Sequence, residues 1–207
     1  MLAKYKHIVI QNPTGPPDAS ELAVIERELG VALPPSFVDF LRVANGGSPE
    51  YSINVPPGPE GEELMFCDLF VAGKDRDGEY GAGTLLGEIR EHRNLYNIPV
   101  EVLPFARDGG DNVVFLDLTV QGGGRVVAFV HGLPAWTGGH EDDRLVEVAP
   151  GFDEYISNLH LPEDIVNEAV ELIEQALKDN DPVRLGANRE FLDLAVPDWR
   201  EKYPHLT

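Results

Sequence analysis

The run Leu22-Ala23-Val24-Ile25-Glu26-Arg27-Glu28-Leu29-Gly30-Val31-Ala32-Leu33-Pro34-Pro35-Ser36-Phe37-Val38-Asp39-Phe40-Leu41, closed by Asn45-Gly46-Gly47, decides how the first part of this chain folds. Leu22, Ile25 and Leu29 recur at helical spacing, and Asp18 stands three residues before Glu21 in an acidic variant of the capping box. Gly30 stops that helix because glycine accepts the left-handed conformation of a C-terminal cap. Pro34-Pro35 opens a second helix, whose face of Phe37, Phe40, Leu41 and Ala44 ends at Asn45-Gly46-Gly47. Two short helices with apolar stripes need a core, and Tyr5 to Ile10, a short strand ahead of the Pro13 to Pro17 break, supplies a first piece of it.

Beyond residue 50 the period changes from helical to alternating. Tyr51 to Val55 and Leu64 to Val71 read as strands around an acidic Pro/Gly loop, Pro56 to Glu63. After a second polar loop, Lys74 to Gly83, Thr84 caps a helix carrying Leu85, Leu86, Ile89 and Leu95. Val102 to Ala106, Val113 to Leu118 and Arg125 to Val130 form a meander, because the turns Asp108 to Asp111 and Gln121 to Gly124 are too short for anything but antiparallel neighbours. A strand at Leu145 to Val148 and a helix at Phe152 to Leu159 close residues 1–160 as one α+β domain. Residues 161–207 read as a helical extension packed on it. A regular helix behind Pro162 carries Ile165, Val166, Ala169, Val170, Ile173, Ala176 and Leu177, a short helix covers Asn188 to Leu194, and Trp199 and Tyr203 serve as anchors.

These ordered blocks resemble the SUKH superfamily, which includes the yeast cell-wall assembly regulator and many bacterial toxin-immunity proteins. The matching positions are Glu26, Gly30, Leu33, Pro34, Phe37, Phe40, Leu41, Asn45, Gly46 and Gly47, followed by Leu103 to Asp117 with Gly110 and Asp111 in its turn, and by Phe152 to Leu159. The resemblance implies a mainly antiparallel sheet flanked by N-terminal and C-terminal helices. It implies a protein-binding role, as an antidote to a polymorphic toxin or as a regulator. The signature residues themselves have a structural reading: Gly30, Gly46 and Gly47 suit positive φ at helix ends, Gly109 and Gly110 suit it at a turn, and the aromatics fill a core.

Composition narrows the function further. The 207 residues hold 16 Lys+Arg against 36 Asp+Glu, a formal charge of −20, which disfavours nucleic acid and favours a basic protein partner. A single cysteine, Cys67, excludes a disulfide framework. No apolar stretch approaches the roughly 20 residues that cross a bilayer, and the opening lacks a signal-peptide core, so a cytoplasmic protein without membrane contact is expected. The six histidines are scattered, Asp75-Arg76-Asp77-Gly78-Glu79-Tyr80 has Tyr where a calcium loop needs Gly, and Gly81, Gly83 and Gly87 miss the dinucleotide spacing. No metal, no cofactor and no catalytic residue is therefore expected. The candidate partner-binding residues are Glu60, Glu62 and Glu63 in one loop, Asp75, Asp77 and Glu79 in the second, and Trp136 with Glu141, Asp142 and Asp143 in a third. A small-ligand accessory role, marked by a deep polar pocket, is a further alternative.

Overall fold

In the computed structural model, which describes residues 1–55, 63–75, 78–110, 112–132, 136 and 142–206, the opening run folds into the two expected helices. In α1, Ala19–Leu29, Asp18 accepts from the backbone of Ser20 and Glu21 while Glu21 reaches back to the Asp18 amide, so the capping box is complete. Gly30 terminates it at φ 73°. Glu26 then spans the joint to α2, Pro35–Leu41: its carboxylate accepts from the Leu33 amide at 3.0 Å, which fixes the angle between the helices. Asn45 plays a similar part, bonding both the amide and the carbonyl of Ala72, at 2.7 and 3.1 Å. At Gly47, φ 91°, any side chain would meet the Gln11 carbonyl oxygen.

The strands form three antiparallel groups. β1, Leu2–Tyr5, pairs with β2, Ile8–Gln11; β3, Tyr51–Asn54, pairs with β4, Glu63–Phe66; and β5, Asp68–Leu69, leads a five-stranded sheet in the order β5-β6-β7-β8-β9. In that sheet β6 is Val102–Arg107, β7 Val113–Asp117, β8 Arg125–Val130 and β9 Arg144–Ala149. The helix α3, Leu85–Tyr96, lies on β6, and α4, Phe152–Asn158, closes the opposite face. Then come α5, Glu163–Asp179, α6, Pro182–Ala195, α7, Trp199–Lys202, and a final 3-10 turn. The fold is α+β, as the sequence indicates.

Four details differ from the sequence reading, each for a local reason. The first strand is half of a hairpin, because Lys6 takes φ 53° and reverses the chain. The apolar run Leu64 to Val71 is two strands, since at Cys67 the chain leaves β3 and turns to β6, the Cys67 amide donating to the Arg107 carbonyl. The last long helix starts at Pro182 instead of Asn188: Asp181 caps it, and its one internal glycine, Gly186, is tolerated. Gly109 and Gly110 do not adopt positive φ; instead Asp108 folds the turn by accepting from the amides of Gly110 and Asn112. Asp111 lies outside the described residues.

Two hydrophobic clusters result. In the larger, the rings of Phe37, Phe40, Phe66, Phe105, Phe152 and Tyr155 meet at centroid distances of 5.0 to 6.4 Å, mostly edge to face. The smaller gathers Ala169, Val170, Ile173, Phe191, Leu192, Trp199 and Leu206 around Val9. β2 joins the two by strand alternation, sending Ile8 and Ile10 into the first and Val9 into the second. Trp199 is fully buried, and its ring N–H donates to Asp193 at 2.7 Å.

Candidate protein-binding face

Strand alternation places Val113, Phe115 and Asp117 of β7, Arg125, Val127 and Phe129 of β8, and Leu145 and Glu147 of β9 on the face of the sheet opposite Val114, Leu116, Val126 and Ala128. The register pairs Val113 with Phe129, Phe115 with Val127, Asp117 with Arg125, and Phe129 with Leu145. Among the described residues one helix, α3, covers this face, and it sits over β6, leaving a cleft over β7 to β9. His92 and Tyr96 of α3, with Ile98 and Pro99 just after it, form one wall of a cleft of about 620 Å³ whose floor is Val113, Phe115 and Val127. Rings line it in a row. His92 contacts Phe115 at 5.5 Å and Tyr96 at 5.7 Å, Tyr96 contacts Phe129 at 5.8 Å, and Phe129 contacts His131 at 5.0 Å.

The polar groups stand at the two ends. At one, Asp117 is buried and accepts from both the amide and hydroxyl of Thr119, while Arg125 bridges Asp117 and Glu147 at 3.0 and 3.3 Å. Burial pushes the Asp117 carboxyl up, but the hydrogen bonds from Thr119 and Arg125 outweigh it and hold the group below the usual carboxylate range. A side chain on Gly122 would collide with this carboxylate, so the β7–β8 turn requires glycine there. At the other end His131 lies 3.6 Å from Asp143, which also accepts from the Gly132 amide at 2.8 Å. On the wall, the Nδ1 of His92 lies 2.9 Å from the carbonyl oxygen of Glu88, an acceptor, so Nδ1 carries the proton and Nε2 is the ring nitrogen left for a ligand.

The acidic candidates from the sequence are distributed over separate loops. Asp142 and Asp143 are exposed and lead into β9 beside the cleft, and Trp136, in the connection between β8 and β9, is 87% exposed. Glu63 opens β4 and pairs with His160 at 3.4 Å. Asp75 and Glu79 share one turn, in which the Asp75 carboxylate accepts from the Glu79 amide at 2.8 Å. Glu60, Glu62, Asp77 and Glu141 lie outside the described residues. The aromatic cleft was missed by sequence reasoning, although a signal was present. Val113-Val114-Phe115-Leu116 and Val126-Val127-Ala128-Phe129 are apolar at every position, which means apolar on both faces, and a single helix follows to cover the second.

Burial pushes the Cys67 thiol up, away from the reactive thiolate. Among the described residues no group of three or more His, Cys, Asp or Glu is placed to hold a metal ion, and no helix is long and apolar enough to cross a membrane. On the apolar face of α5, Ala169, Val170, Ile173 and Ala176 are buried, while Leu177 near its end is exposed.

The sequence profile of the SMI1 / KNR4 family (SUKH-1) matches residues 16–158, about two thirds of the chain, from just before α1 to the end of α4. The chain belongs to this family. SUKH proteins include toxin-immunity proteins and Smi1/Knr4 regulators, and are generally non-enzymatic. A comparison with curated proteins found no match. Both the β1–β2 hairpin and helices α5 to α7 lie outside the matched region, and they share the small cluster around Val9 and Trp199.

Proposed function

We propose that this SUKH protein is a cytoplasmic, non-enzymatic binding module: an immunity protein that docks on and neutralises a basic cognate toxin domain, a nuclease being the class its charge suits best. The observation that carries the reading is an open, ring-lined cleft of about 620 Å³ on a chain of formal charge −20. Burial in the cleft gives affinity, and the surrounding field steers a phosphate-binding, hence basic, surface towards it and penalises acidic partners. The family signature residues support a binding role because they are engaged with the fold: Glu26 and Asn45 hold backbone groups, and Phe37 and Phe40 are buried. A regulatory role of the cell-wall type is the alternative within the family. Burial of Ala169, Val170, Ile173 and Ala176 leaves little of the α5 face on which it would most simply rest.

The test is capture with the full chain as bait at low salt and at physiological salt, where the screening length is about 8 Å. The expected result is one basic protein, retained less as salt rises, whose toxic activity is blocked at a one-to-one ratio. Reversing Glu63, Glu79 and Asp142 to lysine together slows its association by roughly tenfold or more while the fold persists. Recovery of a cell-wall or signalling protein whose retention is indifferent to salt and to the reversals defeats the antidote reading.

A further inference from the structure

We infer that the cleft between α3 and β7–β9 is a receptor for an arginine side chain presented by a basic protein segment, the guanidinium lying against the aromatic row and its apolar neighbour on the floor. This rests on the protein-binding reading and names what the partner must supply. The cleft is lined by a row of rings; among its described lining residues the one carboxylate and the one guanidinium, Asp117 and Arg125, are engaged with each other, and the chain around it is strongly acidic. The Nε2 of His92 is left over once Nδ1 has bonded the Glu88 carbonyl, on a side chain only 9% exposed. Negative charge flanks both ends, Asp143 beside His131 and the Gly132 amide at one and Glu147 beside Arg125 at the other. Between them Tyr96 links His92 to Phe129 through ring contacts of 5.7 and 5.8 Å. Among the described lining residues Arg125 is the only Lys or Arg, and Asp117 and Glu147 already occupy it.

A guanidinium is the complement of such a set. It has five donors and no acceptor, it is planar, and it is hydrated weakly enough to leave water for an aromatic surface. An aliphatic ligand would use the floor but not the negative faces of the ring row, and an anion would be repelled by a chain of charge −20. Lysine could supply charge but not the planar fork that reaches a ring face and a carboxylate together.

The test is a titration of the isotope-labelled full chain with the blocked peptide Gly-Arg-Leu-Arg-Gly and with its citrulline counterpart, which has the same shape and no charge, following backbone amide signals. Saturable shifts are expected in α3 and β7–β9, with affinity for the citrulline form at least about fivefold lower. Tyr96→Ala should weaken the arginine peptide by roughly five- to thirtyfold; Tyr96 is 55% exposed, so the variant folds. Leu145→Ser, at a rim position 62% exposed, serves as the second variant and should give a smaller loss. Shifts confined to the loops of Glu63 and Glu79, equal affinity for the citrulline peptide, indifference to Tyr96→Ala, or no saturable shift at millimolar peptide would each overturn the inference. A captured partner that binds with the α3 and β7–β9 amides silent would overturn it too while leaving the protein-binding reading in place.

Discussion

The two faces of the five-stranded sheet are built from alternate residues of the same strands and end in opposite conditions. On the inner face Val114, Leu116, Val126 and Ala128 are at most 4% exposed, sealed by rings from α2, β4, β6 and α4. On the outer face Val113, Phe115 and Val127 are buried and form the floor of a cleft, while Leu145 and Tyr96 stand 62% and 55% exposed. Composition does not separate them, since both are rich in Val and Phe. Cover does: among the described residues α2, β4 and α4 close one side and the single helix α3 part of the other. Stability therefore resides on the first face and available binding surface on the second.

The sharpest way to break this comparison is Phe105→Ala. The register shift between Pro104 and Ala106 turns Phe105 into the core, where it meets Phe37, Phe66, Phe152 and Tyr155. Removing the ring forfeits its transfer free energy and leaves a cavity, and a loss of about 3–5 kcal/mol is expected in chemical denaturation. A loss below ~1 kcal/mol would show that the inner face is less closely packed than its burial indicates.

That face was legible in the sequence, and the other was not. Periodicity marks which residues want cover, so Leu22, Ile25 and Leu29, the Phe37/Phe40 pair and the Val102 to Val130 meander could be placed before any coordinates. The cleft depends on where a covering helix stops, and nothing in Leu85 to Tyr96 states that it lies over β6 and leaves β8 and β9 open. Trp136 and the acidic loops could be named as candidates because a tryptophan and runs of carboxylates are read residue by residue. His92 was not, because its role follows from which nitrogen its own helix carbonyl occupies. The hairpin at Lys6 was hidden for a related reason: a lone non-glycine residue at positive φ has no reliable mark in sequence.

Asp117 sharpens the comparison at the edge between sheet and turn. Its carboxyl is held below its ordinary value in the folded protein, so the stability it adds is fully present above the unfolded value near pH ~3.9 and is lost as the pH falls through the lower folded value. Asp117→Asn should cost about 1–3 kcal/mol at pH 7, since Arg125 loses its buried acceptor and the turn one charged hydrogen bond. The gap between wild type and variant should narrow as denaturation is repeated at falling pH, through the unfolded value and on towards the lower folded one. An undiminished gap would mean that packing against Gly122, and not charge, is what the carboxylate contributes.

The smallest expected effect is on the outer face and is the most informative about function. Tyr96→Ala removes a ring that is 55% exposed and touches His92 and Phe129 along one side, so the apolar area returned to water is small. A stability change of about 1 kcal/mol or less follows in the same denaturation experiment. A ring that does so little for the fold, yet lies between the spare nitrogen of His92 and the rim at Phe129, has its use in what enters the cleft. Should Tyr96→Ala destabilise the protein as Phe105→Ala does, Tyr96 would belong to the core and the outer face would lose its claim to be kept open for a partner.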